Sequence, residues 1–338
     1  MKNNQLCFSR NFILFANIVI LPFRKHFKEL FCIMIPIVLT VVTIVIPFAS
    51  LLVLSMEGKK RGVRIENYIL ALLIVIFAYF CGGWLYSSVY LKYLLAFVFL
   101  LTTVFYFKKR KKMAAALASN AKIWNRKRYY GLVWKVPLIA GFTFLCYIYF
   151  SSRTYPEPSV DIQFPFKNGD YIIMQGGGNK YMNIIHSENT YAILAFDIVK
   201  LNSFGGRART VFSKDNRQYE VFGEKLYAPI SGKIVAMKRD MPDNVPPDAN
   251  QDEKAGNHIV IQNGNTFVML AHLRQRTIAV KQNELVKAGD YIGDAGNSGN
   301  SLEPHLHIEA RQTIDGVTTP SAIKFDGGIY TYNDLIKK

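Results

Sequence analysis

Apolar and polar positions are distributed very differently in the two halves of this chain, with the change near residue 151. In the first half, long apolar runs are separated by short basic clusters. Leu30 to Met56 is apolar almost throughout, interrupted by Pro36 and Pro47. Tyr68 to Phe107 is about twice as long as one membrane-crossing helix requires, and a polar, aromatic break at Trp84-Leu85-Tyr86-Ser87-Ser88 divides it. A last run covers Val136 to Phe150, with Trp134, Tyr147 and Tyr149 placed to suit a lipid headgroup interface. Helices without a polar face belong in lipid or in a large core. The pattern therefore predicts spans over 30–56, 68–86, 89–107 and 136–151. Phe12 to Phe23 is open between a short fifth span and an interfacial helix, and it lacks the small-residue cleavage site of a signal peptide.

After Arg153 prolines appear and short alternating segments begin. His258 to Gln262, Thr266 to His272 and Leu306 to Ala310 read as strands. Asn/Gly turns such as Asn263-Gly264-Asn265 and Gly296 to Asn300 separate them. No helical periodicity runs for more than a turn or two before the last dozen residues. The expectation is a multi-span helical region over 1–151 and an all-β domain over 152–338, with Asp240 to Gly256 as a surface insertion.

Charge fixes an orientation. The formal net charge is +17, yet residues 1–151 hold 20 of the 41 Lys+Arg and three of the 24 acids, so the second half is neutral. A basic excess confined to loops between apolar runs marks membrane flanks, so a lipid bilayer and no nucleic acid is the expected partner. The cluster Lys108 to Lys112, reinforced by Lys122 and Arg126 to Arg128, should be cytoplasmic. The last span then carries residues 152–338 to the extracytoplasmic, periplasmic side of a bacterial cytoplasmic membrane. The Lys59-Lys60-Arg61 loop should also be cytoplasmic. The basic residues Arg24, Lys25 and Lys28 then require either a fifth span or a re-entrant first run, and both stay open. All four cysteines lie in the first half, so the β domain folds without disulfides.

Five of the six histidines lie in the neutral β half. In His305-Leu306-His307, side chains two apart on a strand share a face, and Glu309 extends that row. A catalytic zinc takes about three protein ligands and an open position. This pair supplies at most two, so other segments must contribute.

Residues 226–310 resemble the lysostaphin-type (LytM-like) zinc endopeptidases. The resemblance rests on Leu226-Tyr-Ala-Pro-Ile-Ser-Gly, Gly256-Asn-His-Ile-Val-Ile, Met269-Leu-Ala-His-Leu, Val286-Lys-Ala-Gly-Asp, Gly296-Asn-Ser-Gly-Asn and Pro304-His-Leu-His-Ile-Glu, in order and spacing. It implies a compact β-hairpin fold like that of lipoyl and biotinyl carrier domains, with a narrow groove and one Zn2+. It also implies that His307 is a metal ligand and that His305 and His272 assist catalysis. The family usually supplies its other ligands as a His and an Asp four residues apart, which this chain lacks. Tyr191 to Asp197 resembles a tyrosine-alanine-x-aspartate variant, here lengthened, and His186 is the nearest histidine upstream. The resemblance thus implies His186 and Asp197 as the remaining ligands. His258 competes, but it occupies a position where the family often has a strand histidine of no catalytic role.

Two motifs point elsewhere and are set aside. Ala236-Met237-Lys238 resembles a biotin-attachment tripeptide, but Arg239 follows, and a carrier has no use for Pro-His-Leu-His. Gly176-Gly177-Gly178 has no lysine at phosphate-loop spacing and reads as a turn. The expected function is hydrolysis of peptide bonds in peptidoglycan stem peptides or cross-bridges, with room for a regulatory membrane partner. The alternative is an inactive module that binds cell wall or activates an amidase.

Overall fold

A computed structural model describes residues 38, 41–56, 64–117, 126–187 and 192–338. The 12–23 segment, the beginning of the 30–56 run and the Lys59-Lys60-Arg61 loop lie outside the described residues. Among the described residues, four α-helices occupy the first half: α1 (Val41–Met56), α2 (Ile65–Cys81), α3 (Leu91–Leu117) and α4 (Arg126–Ser151). Among the described residues, Leu91–Lys112 and Leu132–Ser151 are long and apolar enough to cross a membrane, while Val41–Met56 and Ile65–Cys81 are apolar but shorter. Aromatic contacts join the helices. Tyr68 stacks on Tyr106, Phe77 meets Phe142 edge-on, and Phe80 stacks on Tyr149.

The expected span over 68–86 is corrected: its helix stops at Cys81. A Cβ on Gly82 would lie 2.4 Å from both the Ala78 carbonyl and Thr43 Cγ2, so only glycine fits where the chain turns. The Trp84 indole then donates to Ala78 O at 2.7 Å and closes the last turn. Trp84 to Tyr86 forms a single 3-10 turn, and Trp84, Leu85 and Val89 are buried. The break is therefore a built connector, and it packs against the β domain.

The second half is a mostly antiparallel β domain. Its strands are β1 (Ser159–Ile162), β2 (Asp170–Gln175), β3 (Phe196–Leu201), β4 (Lys225–Tyr227), β5 (Gly232–Lys238), β6 (Asn257–Asn263), β7 (Thr266–Leu273), β8 (Leu285–Val286), β9 (Tyr291–Asp294), β10 (Leu306–Ile314), β11 (Val317–Phe325) and β12 (Leu335–Lys337). The large sheet runs β12-β2-β3-β10-β7-β6-β5-β8. Strand β11 continues from β10 and takes β1 in parallel, and β4 and β9 form a separate pair. The central strands alternate buried Ile, Val and Leu (Ile259, Ile261, Val268, Leu270, Ile308) with residues of the other face, as a half-buried sheet requires. The chain end pairs with β2 as a strand, so the helical periodicity of the last dozen residues does not become a helix. Residues 239–256 carry no strand, in line with the insertion expected there.

The two halves are held together directly. Asn333 Nδ2 donates to Phe80 O and Gly82 O, and Lys92 Nζ donates to Asn333 O. Arg153 pairs with Asp334, and Ser152 bonds Thr331. The three glycines expected as a turn lie at this seam. A Cβ on Gly178 would sit 2.2 Å from Thr154 O, and one on Gly177 would sit 2.4 Å from Thr331 Oγ1.

Candidate active site

Strand β10 is flanked by β3 and β7, and His307 is paired in register with Asp197 on one side and Ala271 on the other. That register alone brings an aspartate and a histidine from distant parts of the sequence side by side. His307 Nδ1 lies 3.0 Å from Asp197 Oδ1, and Nε2 lies 3.5 Å from Glu309 Oε2. Glu309 is buried and is also paired with Arg311.

Two irregularities aim the other side chains. Between β6 and β7 the register shifts at Asn257/Ile259, and His272 takes a positive φ of 62° there. A bulge of this kind turns a side chain off the alternating pattern. It brings the His272 ring to 4.7 Å from that of His305 and 5.6 Å from that of His307, centroid to centroid. A second shift, between Ile173 and Gln175, lies opposite Asp197.

His186 arrives on a 3-10 turn, Ile184–His186, rather than on a strand. Asn183 fixes that turn. Its amide donates to Ile193 O and Ala195 O, both at 2.9 Å, which leaves Oδ1 to accept from His186 Nδ1 at 2.8 Å. His186 Nε2 then faces Asp197 Oδ2 at 3.2 Å. Ligand atoms of His186, Asp197 and His307 lie within 4.8 Å of one another. This donor set fits a divalent metal that accepts nitrogen and carboxylate oxygen. Both imidazoles have their second nitrogen engaged, by Asn183 and by Glu309, which is how metal-binding histidines are oriented.

His305 and His272 stand beside the trio with their Nδ1 atoms committed. His305 Nδ1 donates to Glu303 O and His272 Nδ1 to Ser298 O, each at 2.8 Å, and His305 Nε2 lies 3.6 Å from Asp197 Oδ1. All five side chains are buried. His258 is apart from this group: on β6 it meets Gly256 O and pairs in register with Lys238. Lys238 is ion-paired with Glu253.

Electrostatics follow from burying one carboxylate among imidazoles. Burial opposes charge on Asp197, but His186, His305 and His307 outweigh it and hold the carboxyl well below its usual range. Burial likewise opposes charge on His307, and the hydrogen bonds to Asp197 and Glu309 prevail, raising it to about 9. Burial and the neighbouring His305 and His307 push His272 well below the usual histidine range, which keeps it neutral. Without a metal the proton on His307 offsets the buried carboxylates.

Reasoning from sequence passed over Asn183, the Glu303 and Ser298 carbonyls, and Arg207, which is 3% exposed and pairs with Glu303. Only Asn183, three residues before a proposed ligand, carried a sequence signal, since Asn commonly bonds local backbone.

Two histidines and an aspartate thus converge on a mostly antiparallel sheet, with two further histidines alongside. Residues 218–319 match Peptidase family M23, a segment that contains His272, His305 and His307 and begins after His186 and Asp197. Peptidoglycan DD-endopeptidase ShyA of Vibrio cholerae serotype O1 is 39% identical over 90 residues, 25% of this chain and 21% of that protein. Peptidoglycan DD-endopeptidase ShyC of the same organism is 37% identical over 88 residues, 26% of this chain and 19% of that one. This chain thus spans about a fifth of the length of these curated relatives. A crystal structure of a zinc containing peptidase from Vibrio cholerae aligns at 30% identity over 28% of this chain and 24% of its own, with a TM-score of 0.22.

Proposed function

We propose that this protein is a membrane-anchored zinc metalloendopeptidase that hydrolyses peptide bonds in peptidoglycan stem peptides or cross-bridges; the two Vibrio relatives are named as peptidoglycan DD-endopeptidases. The observation that carries this reading is the convergence of His186, Asp197 and His307 beside His305 and His272, in a chain whose 218–319 segment matches a peptidase family. His186, Asp197 and His307 would hold the zinc. A bound zinc supplies Lewis acidity and brings a water's pKa near neutrality. His305 and His272 stand beside the trio with Nδ1 committed to carbonyls, and an imidazole placed there can take up a proton or hydrogen-bond the oxygen that gains charge as a peptide carbonyl is attacked. Glu309 and Asn183 keep the ligand rings oriented. The β domain would lie on the periplasmic side, anchored by the apolar helices, with Lys108 to Lys112 in the cytoplasm.

The test uses the full chain purified in detergent. Metal analysis is expected to give about one zinc per chain. Incubation with purified peptidoglycan is expected to create new termini, which mass spectrometry locates in the stem peptides or cross-bridges. A metal-loaded, folded protein that leaves peptidoglycan intact would favour the binding or amidase-activating module instead.

A further inference from the structure

The Glu303 carbonyl accepts from Nδ1 of His305 at 2.8 Å, and Ser301 Oγ lies 3.2 Å from the same nitrogen. Ser301 Oγ donates to the same carbonyl at 2.9 Å. What holds residue 303 is the side-chain fork of Arg207: Nε donates to Oε1 at 2.7 Å and a terminal nitrogen donates to Oε2 at 2.6 Å. This bidentate geometry is available to guanidinium and not to an ammonium group. Arg207 also donates to Val211 O.

Arg207 is in turn covered from the helical half. Its guanidinium carbon lies 4.5 Å from the ring centre of Tyr86, which belongs to the connector between α2 and α3. A guanidinium over an aromatic face, with water excluded, is an attractive contact. The backbone leading to Arg207 is attached at the same place. Ser88 Oγ donates to Phe204 O at 2.6 Å, and Val89 N donates to Gly205 O at 3.0 Å. Gly205 has a φ of 75°, and a Cβ there would meet Tyr90, Ser88 and Val89 at 2.9–3.0 Å, so this contact is close by construction.

We propose that Arg207 is a positioning residue for His305, and that the connector, through Tyr86, holds Arg207 in place, making the helical half a working part of the hydrolytic site. The inference rests on the reading of His305 as a residue that meets the scissile peptide. His305 Nε2 lies 3.6 Å from Asp197 Oδ1, but the side-chain bonds of Arg207 go to Glu303 and to Val211 O and not to a proposed metal ligand, so metal binding and turnover should separate.

The experiment uses the full chain in detergent micelles and a soluble cross-linked muropeptide dimer as substrate. Tyr86→Ala and Arg207→Lys are expected to keep the zinc and a near-normal KM while kcat falls about ten- to a hundred-fold, the usual effect of removing an orienting partner. Tyr86→Phe, which keeps the aromatic face, should restore kcat. Because Arg207→Gln leaves Glu303 unpaired and can fail to fold, Arg207→Gln with Glu303→Gln serves as the second variant. It should fold, hold zinc and remain slow. Wild-type kcat in Tyr86→Ala and in the double variant, with His305→Ala inactive, would overturn the coupling. Normal turnover by His305→Ala would instead overturn the reading of His305 on which it rests.

Discussion

At the level of single residues, the four clustered histidines differ in what their ring nitrogens meet. His305 and His272 have Nδ1 bound to backbone carbonyls, whereas Nδ1 of His307 faces Asp197. His307→Ala should therefore abolish zinc binding, read by metal analysis, since two ligands remain where about three are needed. His305→Ala should keep the metal and lose about a hundredfold or more in rate, the scale of a lost proton-transfer partner. The proton on metal-free His307 gives a second prediction. With its pKa raised to about 9, His307 is protonated at pH 7.5 in the empty site. Metal entry at its Nδ1 must then expel that proton, so calorimetry in buffers of different ionisation heat should report about one proton released per zinc bound. The same shift stabilises the metal-free fold: its contribution is complete below the unfolded pKa of about 6.5 and is lost as pH rises through about 9. Melts of chelated protein should fall across that window, and a flat profile would place the proton elsewhere. His272, His305 and His307 were legible in the sequence because Leu-Ala-His-Leu and Pro-His-Leu-His are contiguous motifs. Asn183 and Arg207 were not, because their roles depend on which carbonyl and which carboxylate the folded backbone brings to them.

At the level of elements, the strands were readable from alternation, but their irregularities were not. Nothing in Leu270-Ala271-His272 announces that β7 bulges at His272, because the bulge is set by pairing with β6 across a register shift. The same holds for the end of α2: Gly82 is a visible breaker, yet the reason for it is the nearby Thr43 side chain, 39 positions earlier in a different helix. The turn Ile184–His186 shows how an element can depend on one side chain. Asn183→Ala would orphan Ile193 O and Ala195 O and release His186 Nδ1. The expected outcome is a loss of about 1–3 kcal/mol in stability and about ten- to a hundred-fold in zinc affinity. Thermal melts with and without chelator separate the two effects. Unchanged zinc affinity would show that His186 does not need this support.

At the level of the whole molecule, charge asymmetry and the seam between the halves decide how the protein sits. A reporter active only outside the cytoplasm should work when fused after Arg153 and stay silent when fused at Lys112, as the basic cluster before the last helix requires. The reverse result would move the β domain into the cytoplasm, away from the proposed wall substrate. The seam can be probed through Asn333, which is buried and bonds Phe80 O and Gly82 O. Asn333→Ala should leave those carbonyls unpaired, cost about 1–3 kcal/mol, and speed hydrogen exchange across residues 82–90. Unaltered exchange there would mean that the contacts do not bind the halves. The close glycine contacts at Gly177 and Gly178 leave no slack between the last helix and the sheet. On the proposed topology such a mount has a consequence for reach. An enzyme on a long flexible tether samples a volume, at a local concentration set by the tether's length. An enzyme mounted as proposed would keep its cutting edge at a fixed stand-off from the lipid surface. It would work like a plane on a workbench, dressing only the layer of wall at its own height and leaving strands beyond it uncut, whatever their chemistry.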